Sequence, residues 1–235
     1  MNRGDTRTLF RLARGMPRSG SLKQRLAAFY GPQADRYDDF RERLLAGRAD
    51  LLAWLAPAPG EHIVELGAGT GRNPEFLGRE MSVLGEVTLV DLCAPLLEIA
   101  RNRWRGSANV TVVEADACTW QPAQPVDAVY LAYALTMIPD WRAAMANAVA
   151  MLRPGGRLGV VDFTIAARQP WLARNFWRGW FGHDGVRLDR DHPVVLAQLL
   201  PQHELSVRRA RVPYLPGLRV PYYLFLGTKP QPPRK

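Results

Sequence analysis

The sequence predicts an α/β fold: a doubly wound, Rossmann-like sheet that is mostly parallel and ends in a C-terminal antiparallel hairpin. Three observations carry this expectation. A short apolar run leads into the glycine-rich segment Gly67-Ala68-Gly69-Thr70-Gly71. Strand-like and helix-like runs then alternate, with helices of about 10 to 15 residues, which implies right-handed βαβ crossovers. The last two apolar runs follow each other with only Pro213, Pro216 and Gly217 to turn the chain.

The elements are expected in this order. Residues 1 to 28 hold Arg3, Arg7, Arg11, Arg14, Arg18, Lys23 and Arg25 against Asp5, and read as a basic arm of low structural commitment. From Phe29 to Leu55, Phe40, Leu44, Leu45, Leu51, Leu52 and Leu55 recur at helical spacing until Pro57 to Gly60 stops them, which gives one or two helices. Strands are expected at His62 to Leu66, Val87 to Val90, Val110 to Glu114, Ala128 to Ala132 and Leu158 to Phe163. Helices should follow the glycine segment and cover Pro95 to Arg103 and Trp141 to Leu152, with Pro154-Gly155-Gly156 as a turn. An aromatic and basic stretch with Trp171, Phe176, Trp177, Trp180 and Phe181 comes next, then Leu205 to Val212 and Tyr222 to Thr228 as the hairpin. The domain is therefore expected over 29–229, with a polar tail at 230–235.

Composition sets the outer limits. The 235 residues are 47% hydrophobic and 23% charged, enough for one sizeable core and tight for two. A formal charge of +9 points to polyanionic company, nucleic acid or an anionic membrane surface, without choosing between them. Cys93 and Cys118 are too few for a disulfide framework and read as reduced, buried residues; no metal site is expected. No apolar run reaches the ~20 residues of a membrane span, and the N-terminal stretch lacks a signal-peptide core, so a cytoplasmic protein is expected.

The candidate site lies along the C-terminal strand edge. Glycines after the first strand let a ligand approach bare backbone. The spacing is G-x-G-x-G rather than the G-x-G-x-x-G of dinucleotide-binding enzymes, and Glu65 stands two residues before the first glycine, which favours an amino-acid-bearing nucleoside. Asp91 ends the next strand, where one carboxylate can take two ribose hydroxyls. Asp116 follows the third, within reach of an adenine amino group.

These residues, with the Leu152-Arg153-Pro154-Gly155-Gly156 turn, resemble the class I S-adenosylmethionine-dependent methyltransferases over roughly residues 29–229. The resemblance implies S-adenosylmethionine as cofactor and S-adenosylhomocysteine as product. It places Glu65, Gly67, Ala68, Gly69, Thr70, Gly71 and Asn73 around the methionine portion, Asp91 and Leu92 at the ribose, Asp116 and Ala117 at the adenine, and Tyr133 beside the cofactor.

The flanks resemble narrower groups. Phe29-Tyr30-Gly31-Pro32-Gln33-Ala34-Asp35-Arg36-Tyr37-Asp38, Gly47-Arg48 and Gly71-Arg72-Asn73 are similar to phospholipid and betaine-lipid N-methyltransferases. Tyr133 to Pro139, Phe176 to Phe181 and Val220 to Tyr223 are similar to the bacterial enzymes that methylate diacylglyceryl-homoserine. This implies a lipid head-group substrate and a peripheral place on the inner face of the membrane, with phosphatidylethanolamine as the alternative acceptor. The candidate bases are Tyr37, Tyr133, His183 and His192, with His192 preferred as a residue of a lid; Tyr30, Trp177, Arg178 and Trp180 are candidates for holding substrate. An RNA methyltransferase and a non-catalytic binding module are the competing classes. Against base methylation, Ala132-Tyr133-Ala134-Leu135 stands where an Asn/Asp-Pro-Pro-aromatic signature would be.

Overall fold

The structure, a computed structural model, describes residues 15–17, 19–32, 37–165, 171, 175–177, 179, 182, 185–212 and 217–232; the side chains of residues 37 and 39–41 also lie outside the description. The 1–14 part of the basic arm, Arg178, Trp180, Phe181 and His183 are thus outside it.

Seven strands form one sheet: β1 (His62–Leu66), β2 (Glu86–Asp91), β3 (Val110–Glu114), β4 (Val126–Ala132), β5 (Leu152–Phe163), β6 (Gln202–Arg211) and β7 (Arg219–Thr228), in the order β3-β2-β1-β4-β5-β7-β6. The first five run parallel, while β7 lies antiparallel between β5 and β6. The order reverses between β1 and β4. Such a switch point opens a crevice at the C-terminal strand ends. Val126 to Ala132 is almost entirely buried because helices cover both faces of the central strands.

One face is covered by α3 (Arg48–Leu55), through Leu51, Leu52 and Leu55. Gly159 of β5 makes this contact close: a Cβ there would lie 3.1 Å from Leu51 Cδ1. The other face is covered by α5 (Trp141–Met151) and α6 (Asp191–Leu199), with Trp141, Ala144, Met145, Ala148 and Leu196 in its core. Fully burying each such Leu contributes about 1.5 to 3 kcal/mol. Between them, α4 (Ala94–Arg103) links β2 to β3.

Three expectations need correction. The boundary at residue 28 cuts a helix, α1 (Leu22–Tyr30), which begins with a capping box: Ser21 Oγ accepts from Gln24 N at 3.3 Å and Gln24 Oε1 from Ser21 N at 2.9 Å. It packs through Phe29 and Tyr30 on Cys93 and Leu96, so only the residues before it form an arm. The glycine segment leads into a 3-10 run, Asn73–Val83, rather than an α-helix; Pro74 starts it and Gly78, at φ 56°, kinks it. Pro154-Gly155-Gly156 is a bulge inside β5, where Gly155 N donates to Lys229 O and Lys229 N to Gly156 O. A further helix, α2 (Tyr37–Leu44), stands before α3. Among the described residues, no helix is long and apolar enough to cross a membrane.

Candidate active site

The glycine loop is built for close approach. Gly67, Gly69 and Gly71 have φ of 75°, 55° and 64°, and Gly67 N and Ala68 N both donate to Val90 O, tying the loop to β2. A Cβ on Gly67 would lie 2.4 Å from Ala134 Cβ, so this residue must be glycine for β1 and β4 to meet. Gly71 has another task. Its Cβ would meet Leu89, Trp104 and Ala100, and its carbonyl accepts from Trp104 Nε1 at 2.8 Å. It packs the loop against α4, and it is not among the residues lining the two spaces described below.

Below the loop lies a cavity of about 260 Å3. Gly67 and Gly69 form one wall, Asp91, Leu92 and Cys93 a second, Asp116, Ala117 and Cys118 a third, and Tyr133 with Met137, Ile138 and Pro139 a fourth. Helix α1 covers it with Leu22, Leu26 and Tyr30. Both expected carboxylates therefore face one space. Asp91 Oδ2 accepts from Gly69 N and Oδ1 from Cys93 N, each at 2.8 Å, which fixes the carboxylate while each oxygen keeps a further lone pair. Burial raises its pKa, and these backbone N–H groups oppose the rise. Asp116 repeats the arrangement, with Oδ1 accepting from Cys118 N at 2.8 Å. Cys93 is buried and Cys118 half-buried; both are free thiols, and burial pushes them up to about 11 and about 12, so neither is a nucleophile at neutral pH.

A smaller, polar recess of about 40 Å3 opens on the other side of the loop, lined by Ala68, Thr70, Asn73, Asp38, Arg48 and Tyr133 among others. Glu65 lines neither space. It is completely buried, with Oε1 accepting from Asn73 Nδ2 at 2.5 Å and Oε2 from Tyr130 OH at 2.8 Å. Burial pushes its pKa up to about 8 against the pull of these bonds and of Arg48. Glu65 is thus corrected from a cofactor ligand to a positioning residue. It holds Asn73, whose Oδ1 accepts from Arg48 Nη1 at 3.0 Å. Sequence reasoning assigned no role to Arg48, nor to Asp38 and Arg103. Asp38 Oδ1 accepts from Thr70 Oγ1 at 2.6 Å, and Arg103 binds Asp38, Thr70 O and Glu75. Gly47-Arg48 and Asp38 belong to the flanking segments already singled out, and that was the available signal.

The proposed bases fare differently. Tyr133 lines both spaces at φ 57°, a strained backbone for a non-glycine residue. Its hydroxyl donates to Ala46 O at 2.6 Å, and burial holds its pKa well above the ordinary tyrosine value. It is a wall, not a proton acceptor. His192 is not on a lid: it is completely buried at the start of α6, edge-on to Trp141 with ring centroids 4.5 Å apart, and it lines neither space. Trp177 is corrected too. It is buried in the core cluster with Phe163 and Tyr222, away from the cavity lining. Tyr30 does reach the cavity, where its hydroxyl meets Met137 Sδ at 3.9 Å. The Tyr37 side chain, Arg178 and Trp180 lie outside the described residues.

Burial lowers the His192 pKa to about 4, against an ordinary 6.5. Below pH 6.5 the unfolded chain takes up a proton that the folded one refuses, so stability is lost as pH falls from 6.5 through 4. Relative to His192→Leu, which does not titrate, the wild-type protein should lose about 3 kcal/mol over that range. Urea unfolding at both pH values measures this; a constant difference would mean that the imidazole charges freely inside the fold.

The sheet order, the glycine loop at its switch point and the paired strand-end carboxylates are those of the class I methyltransferase fold, whose cofactor is S-adenosylmethionine. The residues present fit that group. Two glycines in the left-handed region clear the backbone at the cavity, and Asp91 and Asp116 offer acceptors to hydroxyl and amino donors. Residues 63–156 match the family described as "Methyltransferase domain". The demethylmenaquinone methyltransferase of Tropheryma whipplei is 30% identical over 114 residues, 48% of this chain and 46% of that protein. The trans-aconitate 2-methyltransferase of Klebsiella pneumoniae is 33% identical over 112 residues, 48% of this chain and 43% of that one. The chain thus spans about half the length of the curated relatives it matches. In fold it is similar to the N-methyltransferase NodS of Bradyrhizobium japonicum in complex with S-adenosylhomocysteine, with TM-score 0.65 and 19% identity over 88% of this chain and 99% of that one. It is likewise similar to phosphoethanolamine N-methyltransferase 2 of Haemonchus contortus in complex with S-adenosylmethionine, with TM-score 0.70 and 15% identity over 91% of this chain and 61% of that one.

Proposed function

We propose that this protein is an S-adenosylmethionine-dependent N-methyltransferase that converts diacylglyceryl-homoserine to the N,N,N-trimethyl betaine lipid. One observation carries the reading. Of the two segments that resemble lipid N-methyltransferases, Tyr30 of the first and Tyr133, Met137 and Pro139 of the second line one cavity, with Tyr30 and Met137 in contact. Asp38 of the first segment also locks Thr70 of the glycine loop. The resemblance thus follows the site.

When bound, S-adenosylmethionine supplies an electrophilic methyl group on a sulfonium, open to in-line attack by a neutral amine. The protein's part is orientation and exclusion of water. Asp91 and Asp116 would hold the nucleoside end, and Asn73 and Arg48, held by Glu65, would hold the methionine end, while α1 closes the cavity with apolar side chains. Tyr133 presents an aromatic wall at the junction of the two spaces, where its ring, tilted on Phe163 at 4.6 Å, can face a growing ammonium charge. With Tyr133 hydrogen-bonded and His192 buried elsewhere, neither takes the proton. The Tyr37 side chain and His183 lie outside the described residues; an amine that arrives neutral needs no base, and the transfers then accelerate as pH rises towards an amine pKa of about 8 to 10. The last transfer likewise starts from the neutral tertiary amine, and its quaternary product has no proton to release.

A second reading is methylation of a demethylated quinone, favoured by the likeness to the demethylmenaquinone methyltransferase of Tropheryma whipplei. The test offers diacylglyceryl-homoserine, phosphatidylethanolamine and a demethylated quinone in matched micelles with excess S-adenosylmethionine. Label is expected on diacylglyceryl-homoserine, up to three methyl groups; preference for either other acceptor, or for RNA offered in a parallel reaction, refutes the proposal. The basic arm is proposed to hold the enzyme on anionic membrane, each Lys or Arg contributing about 1 kcal/mol. Liposome flotation should weaken in salt and on deletion of residues 1–20, and salt-insensitive binding that survives the deletion counts against it.

A further inference from the structure

We propose that the outer edge of β6 is an interface between two copies of this chain, which join their sheets into one continuous sheet. The observation is independent of the chemistry. β6 is ten residues long and ends the sheet, so among the described residues no strand pairs with its outer side. An open edge of this length with apolar side chains is a template for another strand. Leu205 and Val207 stand 43% and 54% exposed on it, on the face shared with Phe225 of β7, on whose ring His203 stacks at 5.2 Å.

The sequence of the strand says which partner fits. When two copies pair antiparallel about a two-fold axis normal to the sheet, opposed residues share a face, so one residue must meet its own copy. The register centred on Ser206 sets Leu205 against Val207 and Glu204 against Arg208, each twice by symmetry, and places Arg209 opposite His203 and Arg211 opposite Pro201. No two arginines meet. Registers centred on 204, 205, 207 or 208 leave Glu204 without a basic residue opposite. Arg208 is already extended in place, with Nη1 on Asp50 and its guanidinium 5.7 Å from the Trp54 ring centroid, while Glu204 is exposed beside the edge. Cross-strand pairs of opposite charge stabilise a sheet, and like charges directly opposed destabilise it.

Sedimentation velocity on the full chain should give twice the 26.3 kDa protomer mass at high loading. Glu204→Arg, an exposed change whose fold is checked by circular dichroism, sets arginine against arginine twice and should weaken association roughly tenfold or more. Ser206→Cys should form an intermolecular disulfide on mild oxidation, because directly opposed residues lie about 4.5 to 5.5 Å apart, within disulfide reach. A monomer at every loading, a dimer indifferent to Glu204→Arg, or a Ser206→Cys dimer that fails to cross-link each overturns the proposal; the first of these would leave the edge to a foreign strand.

Discussion

Gly67→Ala should destabilise the protein by about 2 to 5 kcal/mol and abolish measurable cofactor binding. Two costs add. A left-handed backbone costs a non-glycine residue about 1 to 2 kcal/mol, and Gly67 sits at φ 75°. The new methyl group would then stand 2.4 Å from Ala134 Cβ, an overlap that only backbone movement relieves, at about 1 to 3 kcal/mol. That movement separates the loop from β4 at the wall both spaces share. Gly60→Ala is the control: its φ is 81° and nothing lies within 4 Å of the added atom, so it incurs the first cost alone. Urea midpoints of the two variants read the difference. A Gly67→Ala protein with the wild-type midpoint and affinity would mean that the loop does not close on β4.

Glu65→Ala should cost about 3 to 5 kcal/mol, because it leaves two buried donors, Asn73 Nδ2 and Tyr130 OH, without acceptors at about 1 to 3 kcal/mol each, and opens a void. Glu65→Gln should be far milder, since it keeps the shape and one acceptor. The pair also tests the protonation state. With the folded pKa near 8 and the unfolded near 4.5, the folded protein retains a proton that the unfolded one releases, so the contribution of Glu65 to stability is greatest below 4.5 and is lost as pH rises towards 8. Glu65→Gln removes that loss. Asp162, buried and held up to about 7 for the same reason, keeps its own share. Equal pH slopes in the wild type and Glu65→Gln would show that Glu65 is ionised throughout.

Much of the fold was legible because its signals are local. Ala128 to Ala132 and Val87 to Val90 are largely apolar because helices cover both faces, and Asp91 and Asp116 were findable because parallel strands deliver their last residues to one edge. The capping box at Ser21 and Gln24 was legible as well, but it is embedded among arginines and was read as part of the arm. What escaped depends on contacts between distant segments. Glu65 looks like a ligand until Tyr130, 65 residues on, occupies its second oxygen. His192 looks like a lid residue until Trp141 packs edge-on to it, and Trp177 looks like a substrate-holding residue until the fold buries it in the core. Gly71 looks like its neighbours, yet Trp104 claims it.

Calorimetric titration with S-adenosylhomocysteine tests most directly whether the cavity between the strand ends and α1 is the cofactor site. The wild-type protein should bind one equivalent. Asp91→Ala removes the acceptor that faces the cavity and steadies Gly69, so it should weaken binding by about 1 to 3 kcal/mol while the sheet stays folded. No binding by the wild-type protein, or unchanged affinity in folded Asp91→Ala, would contradict the account.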